Sequence, residues 1–359
     1  MVEISCEIHG IKLRNPIIAA AGVTTRDGEC IERAAAGGAA AAVTKTVSST
    51  PAKAPHPFMA KVREGIISFD MISDISVEQW VKYEMPKAKR SGIPVIASVG
   101  PTPEDVRKVA PRLVEAGADG IEVPVPSDPQ VASEMVKSAR ESVEKPVFAK
   151  IMEPLGTLES LARELESSGA DGIVVAGPIG PGLSIDVESS MPVLGAPGGA
   201  GYVSGPPVKP IMLKRVADVS RSVNIPVIGC GGVYSGRDIV EYVMAGASAV
   251  QVSTAAILRG YKVYGFLADE LVKFMRAKNY ETLADMRGKA LHHLPQEPLR
   301  TSPAPVELIA SKCTACGLCE SSCPYGGIRI IGRLARVDSV KCCGCGLCVS
   351  ICPTHAIRF

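Results

Sequence analysis

The chain has 359 residues, of which 46% are hydrophobic and 21% are charged, and its formal net charge at pH 7 is +2. This composition can bury a sizeable core and excludes a disordered or collagen-like chain. The near-neutral charge and the 4% of aromatic residues argue against nucleic acid as a partner. No apolar run approaches the roughly 20 residues that span a bilayer, and Glu3 and Glu7 stand where a signal peptide would be basic. We therefore expect a soluble, cytoplasmic protein without a membrane span.

Eight short apolar segments recur through the first 294 residues. They are residues 16–22, 37–43, 93–100, 117–123, 145–151, 169–175, 225–232 and 246–252. Each is followed by an amphipathic stretch, a pattern typical of buried parallel strands with crossover helices. We predict an α/β fold in which the strands close into a (β/α)8 barrel, with an amino-terminal hairpin at its bottom. A doubly wound open sheet is the alternative, but no G-x-G-x-x-G fingerprint follows any strand.

Glycines, hydroxyls and two lysines follow the predicted strands. In such barrels the chemistry lies where strands end. Backbone amides after strands seven and eight can converge on a phosphate, although a Gly-Gly pair can also serve only to turn the chain. The pattern indicates an anionic cofactor, and the residues that carry it are Ala21, Gly22, Lys45, Ser98, Lys150, Gly231, Gly232, Ser253 and Thr254.

The carboxy-terminal part begins after a segment rich in proline and polar residues, 295–306, which has the composition of an extended linker. This segment separates a predicted barrel domain, 1–294, from a small domain, 307–359. Nine of the 12 cysteines fall between Cys313 and Cys352. In a chain expected to be intracellular, such crowding indicates metal rather than a disulfide scaffold.

The cysteines form the pattern C-x2-C-x2-C-x3-C-P twice, beginning at Cys313 and at Cys342. This resembles the bacterial two-cluster ferredoxin, a small α+β domain in which the fourth cysteine of each run ligates the other cluster. The resemblance assigns Cys343 no ligand role. The alternating pattern of residues 328–338 predicts a connecting hairpin. A pair of zinc ribbons is the alternative, but zinc sites use separated cysteine pairs. The implied [4Fe–4S] ligands are Cys313, Cys316, Cys319 and Cys352 for one cluster, and Cys342, Cys345, Cys348 and Cys323 for the other.

The barrel segments also carry a family resemblance. NPIIAAAG (15–22), VTKTVSST (43–50), IEVPVPSDP (121–129), VFAKI (147–151), GPIGPGLSID (177–186), YVSGPPVKP (202–210), GCGGVYSGRD (229–238) and QVSTA (251–255) resemble the catalytic domain of dihydroorotate and dihydropyrimidine dehydrogenases. The resemblance implies an FMN-binding barrel, in which a cation near the flavin tunes its potential. It implies that Lys45 and Lys150 contact the flavin and that Ala21 and Gly22 lie against its ring. It also implies that the phosphate is held by Gly205, Gly231, Gly232, Ser253 and Thr254.

The family's proton-transfer residue corresponds to Ser127, so the catalytic candidates are Ser127 and Lys45. A serine is a poor base and needs a relay, for example through Asp128. The segment Ser-Asp-Pro is also an ordinary turn or helix cap, which is the alternative role for Ser127.

The sequence departs from the family at positions where pyrimidine-handling members carry asparagines. Our alignment gives Ile67, Pro124, Pro129 and Gly177 there, and none can pair with the groups of a pyrimidine ring. A site discriminates through such pairs, so we expect a different, less polar substrate. Other polar residues that are candidates to contact the substrate are Asp70, His56 and Glu153.

These observations predict an oxidoreductase, dependent on FMN and iron–sulfur clusters, that acts on a CH–CH or C=C bond next to a carbonyl of a small molecule. Two [4Fe–4S] clusters would relay electrons to or from an external carrier, either a ferredoxin or an NAD(P)H-oxidising flavoprotein subunit, and we expect a homo-oligomer or part of a complex. The alternatives are an electron-transfer subunit with a non-catalytic barrel, and a dihydrouridine-synthase-like RNA enzyme, which the near-neutral charge disfavours.

Overall fold

Strands and helices alternate along the chain in a computed structural model, which describes residues 2–70, 72–152, 157–295, 297 and 301–359. The strands are β1 (Cys6–Ile8), β2 (Ile11–Leu13), β3 (Ile17–Ala19), β4 (Ala41–Val43), β5 (Met59–Val62), β6 (Gly65–Ser68), β7 (Val95–Ser98), β8 (Gly120–Val125), β9 (Val147–Ile151), β10 (Gly172–Val175), β11 (Ile179–Gly182), β12 (Ile185–Asp186), β13 (Met191–Pro192), β14 (Gly201–Ser204), β15 (Val227–Cys230), β16 (Ala249–Val252), β17 (Glu307–Leu308), β18 (Ile328–Ile331), β19 (Leu334–Val337) and β20 (Ile357–Arg358). The helices are α1 (Gly28–Ala36), α2 (Val77–Gln79), α3 (Met85–Lys89), α4 (Pro103–Glu115), α5 (Pro129–Ser142), α6 (Leu158–Ser167), α7 (Lys209–Ser220), α8 (Gly236–Met244), α9 (Thr254–Arg259), α10 (Val263–Ala277), α11 (Leu318–Ser321) and α12 (Leu347–Ile351). A π-helical segment, Trp80–Glu84, joins α2 to α3.

Eight parallel strands close into a barrel in chain order: β3, β4, β7, β8, β9, β10, β15 and β16, which pairs back with β3. The predicted (β/α)8 fold is confirmed, and the open-sheet alternative is wrong. These strands are buried on both faces, as in β9, where all five residues are buried. Continuous burial explains why the strands read as uninterrupted apolar runs in the sequence.

Four of the crossover helices begin where a polar side chain accepts the first free backbone N–H groups. Asp27 caps α1, Thr102 caps α4, Asp128 caps α5 and Ser235 caps α8, each through its side-chain oxygen. Such caps satisfy amides that the helix itself leaves without partners. They fix the start of these four helices, and therefore the loops at the carboxyl ends of the strands.

The antiparallel hairpin of β1 and β2 closes the bottom of the barrel. Ile8, Ile11 and Leu13 belong to one apolar cluster with Ile18, Phe148 and other residues of the barrel strands. Its alternating pattern places these apolar side chains on one face of the hairpin. The hairpin predicted from the sequence is therefore present.

A second sheet, not predicted from the sequence, is built from two long connections. Its four antiparallel strands are ordered β11, β14, β6 and β5. The connection after β4 supplies β5 and β6, and the connection after β10 supplies β11 and β14. Because both connections leave the carboxyl ends of barrel strands, this upper sheet lies where barrel chemistry is found.

The chain divides into two compact units, Met1–His293 and Leu294–Phe359. The second unit contains two short antiparallel strand pairs. Strands β18 and β19 form a hairpin, and β17 pairs with β20 near the end of the chain. Its helices α11 and α12 each begin after a left-handed glycine, Gly317 and Gly346, so the repeated cysteine motif is also a repeated local structure. Within the described residues, no helix is long and apolar enough to cross a membrane.

Candidate active site and iron–sulfur centre

A cavity of about 460 Å³ lies at the carboxyl ends of the barrel strands. Its wall combines barrel loops with residues of the upper sheet, among them Met59, Ile66, Ser68 and Tyr202. A concave, mostly apolar pocket with a few polar groups is the usual form of a cofactor or substrate site. The barrel alone does not form this wall, because the upper sheet completes it.

Most of the predicted cofactor-contacting residues meet on this wall: Ala21, Gly22, Lys45, Lys150, Gly205, Gly231, Gly232, Ser253 and Thr254. Ser98 does not appear among the described lining residues. It is fully buried, and its hydroxyl lies 2.9 Å from that of Thr46, which does line the cavity. Ser98 therefore stands behind Thr46 rather than at the surface of the cavity.

The glycine pair after β15 adopts backbone angles that favour glycine. Gly231 has φ 110° and Gly232 has φ 74°, and a Cβ on Gly232 would lie 2.8 Å from the backbone nitrogen of Lys209. Glycine is the residue that accepts both the positive φ and the close approach. Across the same rim, the hydroxyls of Ser204 and Thr254 lie 2.8 Å apart. Small residues, backbone amides and hydroxyls form a donor set that fits a phosphate.

Lys45 is paired with a carboxylate at the edge of the cavity. Its Nζ lies 2.8 Å from Oδ1 of Asp70, and the Lys45 residue is 6% exposed. Burial raises the pKa of Asp70, while the hydrogen bond and charge of Lys45 act in the opposite direction. Asp70, one of the polar candidates named from the sequence, thus lines the cavity together with its ion-pair partner.

Lys150 lies in a buried polar network that we did not predict from the sequence. Its Nζ is 3.3 Å from Oε1 of Glu122 and 2.8 Å from Oε1 of Gln251, and Nε2 of Gln251 is 2.5 Å from Oε2 of Glu122. Burial acts to lower the pKa of Lys150, but its interactions with Glu122 and Cys230 together outweigh burial and raise the pKa. The ammonium group is therefore charged at neutral pH. The sequence signal for this network was a polar residue inside an apolar strand, namely Glu122 in GIEVPV and Gln251 in AVQV.

An FMN fits the chemistry of this cavity. Gly231 and Gly232, which we call the glycine rim, offer backbone amides to a phosphate. The buried ammonium groups of Lys45 and Lys150 line the wall on which a flavin would lie. Anionic cofactors require such donors. The donor set of the described wall matches the residues that the family resemblance implied.

The positions assigned to pyrimidine recognition divide into two groups. Pro124 and Gly177 line the cavity, whereas Ile67 and Pro129 are not among its described lining residues. Ser68 lies on the wall in place of Ile67, because alternate residues of β6 face opposite sides of the sheet. The wall is therefore more polar at this point than we expected.

Two further polar candidates lie away from the described wall or outside the described residues. His56 is exposed and packs edge-on against Phe58, with 5.3 Å between ring centroids, and it does not line the cavity. Glu153 falls in 153–156, outside the residues that the structure describes. Of the three polar candidates, Asp70 is the one that the structure brings to the site.

Ser127 comes one residue after the wall. Pro124, Val125 and Pro126 line the cavity, and Ser127, which follows them, is half-buried. The neighbouring Asp128 uses Oδ1 to accept the backbone N–H groups of Gln130 and Val131 at the start of α5. The helix-cap role foreseen for this segment is therefore present, and the carboxylate oxygen involved is already engaged.

In the second unit, four cysteines line one small cavity: Cys313, Cys316, Cys319 and Cys352. These are the four that the ferredoxin resemblance assigns to one cluster, including the distant fourth cysteine. Cys342, Cys345 and Cys348 of the second run lie close enough to interact electrostatically. Cys343 contacts Tyr325 through a side-chain hydrogen bond.

The fourth cysteine of each run accepts backbone hydrogen bonds at sulfur. The amide of Gly327 donates to Sγ of Cys323 at 3.3 Å, and that of Ala356 donates to Sγ of Cys352 at 3.2 Å. Burial acts to raise the pKa of both thiols, but the surrounding backbone N–H groups outweigh it and lower the pKa. Such bonds stabilise thiolates, the form that binds iron.

The cysteines of the second unit differ in arrangement from the ligands of a single bound ion. Among the described residues, no three His, Cys, Asp or Glu side chains lie close enough together to hold one metal ion. Around a [4Fe–4S] cube each thiolate binds a different iron, so the sulfurs lie further apart than around one zinc ion.

Comparison with known proteins agrees with both units. Residues 3–275 match the dihydroorotate dehydrogenase family, and residues 305–353 match the 4Fe-4S dicluster domain. The chain is 33% identical to the dihydroorotate dehydrogenase B (NAD(+)) catalytic subunit of Pyrococcus abyssi, over 81% of this chain and 99% of the relative. It is 34% identical to the protein of the same name from Methanothermobacter thermautotrophicus, over 81% of this chain and 98% of the relative.

The matched family model covers well over half of the chain, and the ferredoxin-like unit brings the two-cluster motif. The expectations of FMN, two [4Fe–4S] clusters and an electron relay are confirmed. The chain belongs to the dihydroorotate dehydrogenase family and is an FMN- and iron–sulfur-dependent oxidoreductase that acts on CH–CH bonds.

Proposed function

We propose that the barrel adds or removes two hydrogens at a carbon–carbon bond next to a carbonyl of a small, uncharged molecule. Electrons pass through the two clusters to or from an external carrier protein. The observation that supports this proposal is the single wall on which the glycine rim, Lys45 and Lys150 meet. It combines a place for a phosphate with two buried cations beside an apolar space.

Each part of the wall has its own task in this proposal. FMN, when bound, accepts or donates a hydride and exchanges electrons one at a time with the clusters. Gly231, Gly232, Ser253 and Thr254 hold the phosphate through amides and hydroxyls. The upper sheet and the proline-rich end of β8 exclude water above the reacting carbons, and Ser127, beside that strand end, moves a proton.

The charges on the wall favour an uncharged substrate. Lys45 and Lys150 are the cations on the described wall, and each already has a carboxylate partner, Asp70 and Glu122 respectively. A substrate carboxylate would therefore displace an existing ion pair or stay without a cation, which is unfavourable in a buried site. Asp70 and Ser68 instead suit N–H or O–H groups of a neutral molecule.

The external carrier is a ferredoxin or a flavoprotein subunit that oxidises NAD(P)H. No strand of the sequence is followed by a dinucleotide-binding fingerprint. The relatives are named as catalytic subunits, which supports a separate partner. About a fifth of this chain has no counterpart in them, since they align over 81% of it. Direct turnover of NAD(P)H by the purified chain would contradict this part of the proposal.

Anaerobic purification with cofactor analysis, followed by a viologen-dye assay, tests the proposed function. We expect one FMN and about eight iron atoms per chain, and dye reduction with neutral saturated carbonyl compounds drawn from a metabolite screen. Dihydroorotate, which carries a carboxylate, and dihydrouracil are the matched comparisons. Reduction of the dye by dihydroorotate at ordinary enzymatic rates would contradict the uncharged substrate class. Reduction by dihydrouracil, which is uncharged, would contradict the expectation that the site does not take a pyrimidine ring.

The same preparation distinguishes the alternative role. A protein that retains both clusters but binds no added FMN would be an electron-transfer subunit with a non-catalytic barrel. The position of Ser127 beyond the described cavity wall is the observation that favours this alternative. Bleaching of bound flavin by any metabolite would exclude it.

A further inference from the structure

Three side chains from three separate strands form a closed hydrogen-bonded triangle on the wall of the cavity. Glu122 belongs to β8, Lys150 to β9 and Gln251 to β16. Each pair is in contact: Lys150 with Glu122 at 3.3 Å, Lys150 with Gln251 at 2.8 Å and Gln251 with Glu122 at 2.5 Å. All three are buried: Glu122 is 1% exposed, Lys150 is 6% exposed and Gln251 is 2% exposed.

The donors and acceptors of this triangle match without conflict. The Gln251 carbonyl accepts from the ammonium group and its amide donates to the carboxylate, so one orientation of Gln251 satisfies both neighbours. A buried charge without a partner is strongly unfavourable. The hydrogen bonds of the triangle therefore hold the ammonium group of Lys150 beside the carboxylate of Glu122. Their two charges sum to zero.

This arrangement changes what Lys150 can do to a flavin. An ammonium group near the ring stabilises the extra negative charge of reduced flavin, and therefore raises the reduction potential. A carboxylate 3.3 Å from that ammonium opposes the effect, because in a low-dielectric interior nearby charges of opposite sign offset each other. Lys45 is paired with Asp70 in the same way.

We propose that Glu122 and Gln251 are positioning residues that hold the reduction potential of bound FMN low through Lys150. The inference rests on the proposed function, in which FMN lies beside Lys150. A low flavin potential favours transfer of electrons to iron–sulfur clusters, whose own potentials extend far below zero. Neither residue needs to contact the flavin for this effect.

The isosteric Glu122→Gln substitution tests the proposal. We expect the ratio of affinities for reduced and oxidised FMN to rise at least tenfold, which is about 30 mV for a two-electron couple. The potential is measured by anaerobic equilibration with redox dyes, and FMN content is measured in parallel. Asp105→Asn is the matched control. Asp105 is also a buried carboxylate, but it binds Ser49 and Thr102 away from the described cavity wall, so its substitution should leave the potential unchanged.

A double-mutant cycle shows whether Glu122 acts through Lys150. In a Lys150→Met background the buried carboxylate of Glu122 has lost its cation and should take up a proton. Glu122→Gln should then no longer shift the potential. An equal shift in that background, or no shift in the single variant, would overturn the proposal.

Further variants cover the remaining outcomes. The conservative Glu122→Asp variant keeps the charge and should stay closer to the unmodified protein than Glu122→Gln. If Glu122→Gln does not fold, the reduction potential of FMN is measured in Gln251→Leu instead. An unchanged potential in Gln251→Leu overturns the proposal. If the unmodified protein binds no FMN, it is the proposed function that fails. If it binds FMN and the potential is insensitive to Glu122, only this inference fails.

Discussion

Of the two candidate catalytic residues, Lys45 lines the cavity wall, whereas Ser127 follows that wall in the chain. If it moves the proton, Ser127→Ala should slow turnover of substrate by about a hundredfold or more, a usual range for loss of an acid or base. Reduction of the clusters by dithionite should be unaffected. Both rates are measured on the same anaerobic preparation.

A second serine of the same helix region serves as the control for Ser127. Ser142 lies at the far end of α5, where its hydroxyl donates to the carbonyl of Ser138. Ser142→Ala should leave turnover unchanged. Full activity in both variants would remove Ser127 as the proton-transfer group and would leave the cap at Asp128 as the function of that segment.

The lysines at the ends of β4 and β9 were predictable from the sequence, but their partners were not. Glu122 and Gln251 are 129 positions apart in the chain, and only closure of the barrel brings β8, β9 and β16 round the same centre. A single polar residue in an apolar strand indicates that something buried must pair with it, without saying what. Likewise, Ser68 and Ile67 could be distinguished only when the face of β6 was known.

At the scale of a single element, α8 depends on Asp238 for its start. The carboxylate accepts the backbone N–H groups of Tyr234 and Ser235 and binds Nζ of Lys209 at 2.6 Å. We expect Asp238→Asn to lower stability at pH 7 by about 1 kcal/mol, typical for loss of such a capping contact. The measurement is the urea unfolding midpoint of the whole chain.

The pH dependence of that effect follows from the ionisation of Asp238. Burial acts to raise its pKa, but Lys209 and the backbone N–H groups outweigh burial and lower the pKa. The stabilisation is therefore present above the usual aspartate pKa and is lost as pH falls through the lowered value. The difference in unfolding free energy between the unmodified protein and Asp238→Asn should shrink at acidic pH.

Asp218→Asn is the control, because it breaks an ion pair with the exposed Lys214. It should lower the free energy of unfolding by about 0.5 kcal/mol or less. An equal loss of stability in both variants would contradict a special role for Asp238.

The two kinds of sheet in the first unit differ in how much the sequence reveals. The barrel strands follow one another in chain order, so local apolar runs were enough to predict them. In the upper sheet β6 pairs with β14, for example Ile66 with Ser204, across nearly half of the barrel sequence. Strand β11 reads Ile-Gly-Pro-Gly, a composition typical of a turn. Strand β11 forms because it pairs with β14. A local sequence pattern carries no information about a partner so far along the chain.

At the scale of the whole molecule, the chain combines a two-electron site with a one-electron relay. The relay depends on a long-range crossing, because Cys352 lines the cavity of Cys313, Cys316 and Cys319. The linker composition predicts a boundary after residue 294, and the contacts divide the chain after His293. The ligand crossing came from the ferredoxin resemblance, since spacing alone does not say which thiols share a cluster.

Removing one crossing ligand should therefore interrupt the relay while sparing the barrel. In Cys352→Ala we expect about half of the iron to be lost, FMN content to stay unchanged, and substrate still to bleach the flavin, while reduction of the external carrier falls sharply. Cys343→Ala is the matched control, because Cys343 neighbours a predicted ligand and bonds Tyr325. It should keep all of its iron and its full rate. Equal iron loss in the two variants would show that the ligand set is wrong, and undiminished carrier reduction in a Cys352→Ala protein that has lost iron would show that electrons leave the flavin by another route.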